Sequence, residues 1–290
     1  MTALIFGAGG QDGHYLAEAC TREGIHPVTV SRNAGDVLCD VGDTSLVTAL
    51  VRQHRPDYVF HLAARSTTRH DALFEHHATI AGGTLNILEA VRAHSPHARV
   101  FIAGSGVQFA NDGSPIAEGA PFAATSPYAV ARIQSVYAAR YFRALGVNTY
   151  IGYLFHHESP RRSPSHVSMM IALAARRIAA GSAEVLTIGD AAVEKEWTFA
   201  GDVADAMLTL VRQGDVSEAV IGSGAAYSIA QWLDACFRLA GLTWSDYVRA
   251  REGFTPEYAR LVSDPRTINK LGWRPKVDFT ALAAMMMREP

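Results

Sequence analysis

A doubly wound α/β fold with a parallel sheet is predicted by three observations. An apolar run at residues 3–6 ends in a glycine-rich turn, and the turn opens into a helical pattern from His14 to Cys20. Further apolar runs at 28–30, 58–64 and 100–103 alternate with helical patterns, giving the order β-α-β-α-β-α-β. The first turn carries Gly7, Gly10 and Gly13 at GxxGxxG spacing. In a Rossmann-type fold these glycines allow a tight turn, close approach of a pyrophosphate and close packing of helix on strand. The helix start, with Gln11 and Asp12, would receive the phosphate charge on its free N–H groups.

The second run, Val28 to Val30, ends at Ser31-Arg32-Asn33. An acidic residue at this point bonds the adenosine ribose hydroxyls and favours NAD, whereas an arginine accommodates a 2′-phosphate. Arg32, with no carboxylate immediately beside it, makes NADP the expected cofactor ahead of NAD. Asp40-Val41 follows, and Asp43 or Thr44 is placed to cap the next helix. The third run leaves through Leu62-Ala63-Ala64, small enough for a cofactor to lie against the backbone, and on to Arg65 and Ser66. His61 has no partner at metal-ligand spacing and reads as structural. A long helical pattern spans 72–93, and the fourth run ends in Gly104-Ser105-Gly106.

Ser126-Pro127-Tyr128 starts a helix with proline at its favoured first position. Tyr128 and Arg132, four residues apart, share a helix face. A cation beside a phenol favours its phenolate, a usable general base, and Ser105 can bond the same substrate oxygen. The competing expectation is a packed Tyr128 and a solvated Arg132. A further strand is predicted at 147–154. After it the alternation loosens into the polar stretch His156-His157-Glu158-Ser159-Pro160-Arg161-Arg162, whose paired arginines suit a diphosphate. No third ligand accompanies His156-His157-Glu158, so no metal site is expected. Shorter elements follow, with helices near 167–180 and 202–212, strands near 185–188 and 219–221, and helices from Ser228 and Phe279. The expected division is a dinucleotide-binding part at 1–155 and a smaller mixed α/β substrate-binding part at 156–290, some of whose segments return to the sheet.

Composition limits the partners. The chain of 290 residues is 49% hydrophobic and 19% charged, with a net charge of -2. That balance gives no electrostatic case for nucleic acid or an anionic membrane. Cys20, Cys39 and Cys236 form no metal-ligand pair and fit a reducing compartment. The first strand begins almost at Met1, leaving no room for a leader, and no apolar run approaches the ~20 residues of a membrane span. The cytoplasm is the expected location.

Taken together, these stretches resemble the GDP-mannose 4,6-dehydratase branch of the extended short-chain dehydrogenase/reductase family. The most specific mark is Leu154-Phe155-His156-His157-Glu158-Ser159-Pro160-Arg161-Arg162, close to a Leu-Phe-Asn-His-Glu-Ser-Pro-Arg-Arg signature. Glu196-Trp197 with Asp202, and the stretch 269–276, match the C-terminal half. The resemblance implies hydride transfer at sugar C4 of a nucleotide-linked hexose, with GDP as the expected nucleotide. It assigns the tyrosine to Tyr128 and the Thr/Ser to Ser105. Arg65, Ser66, Gln108, His156, Glu158, Arg161 and Arg162 are the implied substrate contacts. It also implies a homodimer through helices near 72–93 and 127–145; a tetramer is the alternative, although a stretch that helps build the tetramer is missing before Asp40.

Two positions depart from the family pattern. Arg132 stands where a lysine is expected, keeping the charge but not the geometry. Val107 stands where a glutamate works at sugar C5, and valine transfers no proton. His156 also replaces an asparagine. Three readings follow: a dehydratase, a C4 reductase/dehydrogenase or epimerase, and, in another class, a catalytically weak protein that binds cofactor or sugar nucleotide. Gln108 and His156 are the nearest polar substitutes for the missing base.

Overall fold

The structure, a computed structural model, describes residues 1–288. β1 (Thr2–Phe6) leads through the glycine turn into α1 (Gln11–Arg22), followed by β2 (His26–Ser31), β3 (Val37–Leu38), α2 (Thr44–His54) and β4 (Tyr58–His61). Asp43 caps α2, its carboxylate accepting from the Leu46 N–H at 3.0 Å. The expected helix at 72–93 is less regular than its apolar pattern. It comprises a 3-10 turn, α3 (Leu73–His76), a π-helical stretch at 77–82 and α4 (Gly83–His94). β5 (Arg99–Ser105), α5 (Pro127–Ala144) and β6 (Asn148–Leu154) complete the first half.

The central sheet has seven parallel strands. Six come from the first half in the order β6-β5-β4-β1-β2-β3, and the seventh returns from the second half at 218–221 beside β6. From β1 the chain runs to β2 and β3 on one side and then crosses to β4 on the other, so the strand order reverses between β1 and β4. Ligands gather in the crevice at such a switch point, beyond the carboxyl ends of the strands. Leu4, Phe6 and Val59 face one hydrophobic layer, packed by Val47, Leu88 and Val136 of the helices. Alternate residues Ala3, Ile5 and Phe60 face the other, packed by Leu16 and Met207. This period-two division of nearly continuous apolar strands is what a sheet covered on both faces requires.

The second half contains β7 (His157–Glu158), α6 (Val167–Ala179), β8 (Leu186–Ile188), β9 (Glu194–Glu196), β10 (Thr198–Phe199) and α7 (Ala200–Arg212). Next come β11 (Glu218–Ile221), which is the returning strand, β12 (Ala226–Ser228), α8 (Ile229–Leu239) and β13 (Val248–Ala250). β14 (Arg260–Leu261), α9 (Arg266–Lys270) and α10 (Phe279–Met287) end the chain. A third core lies between α6, α8 and α10. At its centre Trp197 stacks on Trp232, with ring centroids 4.3 Å apart. Buried Glu196 binds this part to the sheet end. Its carboxylate accepts from the backbone N–H groups of Ser223 at 2.5 Å, Gly224 at 3.3 Å and Ser263 at 2.5 Å. α7 and β11 pack with the sheet, so the second half is not a separable lobe.

Candidate active site

Two adjoining cavities lie over the carboxyl ends of the strands. The first, about 380 Å³, is lined by Gly7, Gly10, Gln11 and Asp12 of the glycine turn. Its other walls include Arg32, Asp40 and Val41, with Leu62, Ala63, Ala64 and Ser66. Packing explains two of the glycines. Gly7 has φ +90°, and a Cβ there would meet the Ala63 nitrogen at 2.5 Å. A Cβ on Gly13 would meet Ala8 Cα at 2.5 Å, where α1 crosses the turn. Gly10 precedes α1 without a capping side chain, so the first N–H groups of the helix face the cavity unclaimed. Uncapped donors, a crowded backbone and an open trough above them fit a dinucleotide pyrophosphate.

The HHESPRR stretch is fastened to this turn. Gln11 is buried, donates to the His157 carbonyl at 3.3 Å and accepts from Ser159 Oγ at 2.8 Å. His157 Nε2 lies 2.9 Å from Asp12 Oδ1 while its Nδ1 lies 2.7 Å from the Phe155 carbonyl. Both contacts favour the protonated ring. Burial disfavours that charge, but Asp12 outweighs it and raises the His157 pKa. Burial likewise pushes Asp12 upward, yet His157, helped by Arg162, holds its carboxyl below the ordinary range.

The second cavity, about 360 Å³, is lined by Ser105, Tyr128 and Arg132 together. Ser126 caps α5, accepting from the Ala129 N–H at 3.2 Å, and Pro127 opens the helix. Tyr128 therefore projects from the first turn and Arg132 from the second, on one face. Arg132 is 4% exposed, so it is not the solvated cation of the bland alternative. Its guanidinium donates to the Ala103 carbonyl at 2.5 Å, and its Cζ lies 5.0 Å from the Tyr128 ring centroid. The charge thus sits beneath the phenol, held by the strand that presents Ser105. His61 is buried with Nε2 3.2 Å from the Ile80 carbonyl, and burial pushes its pKa down to about 4, consistent with a neutral structural ring.

The implied substrate residues separate. Ser66, His156 and Arg162 line the second cavity, but Arg65, Gln108, Glu158 and Arg161 line neither. Gln108 is fully buried and its Oε1 accepts from the Ser105 N–H at 2.8 Å, so it braces Ser105 rather than facing the cavity. Arg65 turns outward to Glu75, and Arg161 is exposed. Glu158 lies under the cavity floor, accepting from Arg162 Nε at 2.7 Å and lying 2.8 Å from His156 Nε2. The other nitrogen of His156 lies 2.7 Å from the Glu196 carbonyl. Burial, with Lys195 adding to it, pushes the His156 pKa down to about 4, which makes it a weak base. Val107 lines the cavity as expected from its position.

Lys195 is the site residue that sequence reasoning missed. It is 7% exposed, lines the second cavity and lies 4.9 Å over the Trp197 ring. Burial lowers its pKa to about 8, against the opposing pull of Glu158. The only local signal was its place beside Glu196-Trp197. Among the described residues no His/Cys/Asp/Glu group has the arrangement of a metal site.

The model of the GDP-mannose 4,6 dehydratase family matches residues 4–286. The chain belongs to that family. GDP-mannose 4,6 dehydratase 1 of Arabidopsis thaliana is 31% identical over 99% of this chain and 89% of its own length. Among solved structures, a dTDP-glucose 4,6-dehydratase from Bacillus anthracis in complex with NAD superposes with a TM-score of 0.87. It is 17% identical and covers 99% of this chain and 95% of its own. RMD from Pseudomonas aeruginosa, complexed with NADPH, gives a TM-score of 0.85 at 20% identity, covering 99% of this chain and 97% of its own. These likenesses extend over the whole fold. In this chain Arg132 lies under Tyr128 and Val107 stands in the cavity wall.

Proposed function

We propose that the protein is an NADP-dependent enzyme that moves hydride to or from C4 of a GDP-linked hexose, without the elimination step of a dehydratase. The observation that carries this reading is the convergence of Ser105, Tyr128 and Arg132 in a cavity that adjoins the glycine turn. NADP, when bound there, supplies the hydride acceptor or donor. The chain's residues supply the proton chemistry. The Tyr128 phenolate takes the C4 hydroxyl proton during oxidation and returns it during reduction. The buried Arg132 guanidinium, with its Cζ 5.0 Å from the Tyr128 ring centroid, lies against that ring. Ser105, braced by Gln108, holds the C4 oxygen. Arg162 and Lys195, two cations that line the cavity, suit the diphosphate of the sugar nucleotide.

Loss of water across C5–C6 needs a proton acceptor at C5. Val107 cannot serve, Gln108 is turned away, and both nitrogens of His156 lie against acceptors. Losing a general base costs on the order of 100- to 10,000-fold in rate. The second reading, a GDP-mannose 4,6-dehydratase, is favoured by the family match over residues 4–286. Mass spectrometry of the protein with NADP and GDP-mannose separates them. Loss of one water from the sugar would establish dehydration and refute the C4 redox reading. Under that reading GDP-mannose keeps its mass, while a 4-keto-6-deoxy GDP-hexose is reduced with net consumption of NADPH. No turnover of any GDP-hexose despite tight cofactor binding would instead support a catalytically weak binding protein.

The protein is further read as a cytoplasmic homodimer. Exposed Tyr137 and Tyr141 on α5, Leu145 just after it and Leu85 on α4 are apolar surface on the helices where the resemblance implies a four-helix contact.

A further inference from the structure

Beside the Arg32 end of the cofactor cavity, Arg32 meets an arginine and a carboxylate outside the cavity lining, Arg65 and Glu75, that no step above uses. Arg32 follows β2 and Arg65 follows β4, the two strands that flank β1. Their side chains meet at one residue. Arg32 Nη2 lies 3.3 Å from Glu75 Oε1, and Arg65 Nη1 lies 3.3 Å from Glu75 Oε2. Glu75 sits on the single turn of α3 and is about one-third exposed; the arginines are about half exposed. Among the described residues neither arginine ion-pairs with any other carboxylate.

We infer that Arg32 and Arg65 form a two-armed clamp for the cofactor's 2′-phosphate, and that Glu75 occupies the clamp as a competing anion. The inference rests on the NADP reading for its ligand. Two guanidinium groups from separate strands repel each other unless an anion lies between them. Glu75 meets that need weakly, with one long contact to each arm and much of the pair in water. A phosphate brings nearly two charges and three acceptor oxygens to the same place, and guanidinium forks match it in pairs. Arg32 already lines the cofactor cavity, as does Ser66 next to Arg65. The position of Arg65 also accounts for its absence from the substrate cavity. Glu75 then acts as a specificity-determining residue: NADP must displace it, while NAD leaves it in place.

Isothermal titration of the full chain with NADP, NAD, 2′,5′-ADP and 5′-AMP tests this without reference to turnover. Glu75→Gln is expected to tighten NADP and 2′,5′-ADP about 3- to 10-fold, with NAD and 5′-AMP nearly unchanged, because one repelling charge is removed from a solvated site. Arg65→Ala is expected to weaken the two 2′-phosphorylated ligands about 10-fold or more and to leave the others alone. Arg65→Lys, which keeps charge but not the fork, falls between. Added salt shrinks each difference. Equal effects of Arg65→Ala on phosphorylated and unphosphorylated ligands, or an unmoved NADP:NAD ratio in Glu75→Gln, would overturn the clamp. Wild-type preference for NAD, with the variants still moving the ratio as stated, would refute the NADP reading and leave the clamp standing.

Discussion

Binding of the sugar nucleotide should weaken as pH rises from 7 to 9, because Lys195 discharges. Burial places its pKa at about 8. About nine-tenths of the side chain is then charged at pH 7 and about one-tenth at pH 9. A cation 4 Å from a phosphate charge is worth about 1 kcal/mol in water and about 4 at the effective dielectric of a protein surface. The cavity is open, so about 1–2 kcal/mol applies, or roughly a 5- to 30-fold loss of affinity. The bound diphosphate itself draws the pKa upward, which shifts the fall toward pH 9. The assay is calorimetric titration of GDP-mannose at pH 7, 8 and 9. Lys195→Arg stays charged throughout and should bind with a flat profile; Lys195→Met should bind weakly with a flat profile. A pH-dependent fall that persists in Lys195→Arg would refute the assignment. Stability moves the other way. The folded-state pKa lies below the ordinary 10.5, so the unfolded chain binds more protons between about 8 and 10.5 and stability rises with pH across that window. The full shift corresponds to about 3 kcal/mol. Thermal melts should therefore separate the two effects of one proton.

Other perturbations follow from the same geometry. Tyr128→Phe should lower turnover about 100- to 10,000-fold while cofactor affinity, read by fluorescence titration, is retained. Gly13→Ala drives a Cβ to 2.5 Å from Ala8 Cα and should cost about 1–3 kcal/mol in a denaturant melt, with NADP binding lost alongside. The Asp12–His157 pair should stabilise most at intermediate pH. The raised His157 contribution is lost as pH climbs through its folded pKa, and the lowered Asp12 contribution is lost as pH falls through its own. Asp12→Asn should accordingly destabilise near pH 6 and match wild type at high pH. Tyr137→Glu with Tyr141→Glu should convert a dimer to a monomer in light scattering; a monomeric wild type would remove the basis for the four-helix contact.

The sheet was legible because its causes are local. Four apolar runs, three glycines at fixed spacing and the Ser126-Pro127 helix start each act through the conformation of a few neighbouring residues. β3, β7, β9, β10 and β12 to β14 carried no comparable signal, since two or three residues hold no period and are strands only because a partner lies beside them. The same distinction runs through the site. Ser105 and Tyr128 stand in patterns that chemistry recognises in one dimension, and Arg132 follows one helical turn after the tyrosine. That Arg132 is buried under the ring and tied to Ala103 depends on how closely α5 meets β5. Gln108 and His156 were equal candidates for the missing base by position. Packing decided against both, turning one to the Ser105 amide and placing the other between Glu196 and Glu158. Arg65, Arg32 and Glu75 are 10 to 43 positions apart and meet only because β2 and β4 lie on either side of β1. Lys195 stands between two glutamates with no pattern to mark it, and burial against Trp197 made it part of the cavity. The sequence by itself determined the main strands and helices of the sheet and the glycine turn, and it singled out Ser105 and Tyr128 as candidates. Distances between groups remote in the chain, and the charge states that burial imposes on them, arose only when the tertiary fold excluded water and brought the strands into order.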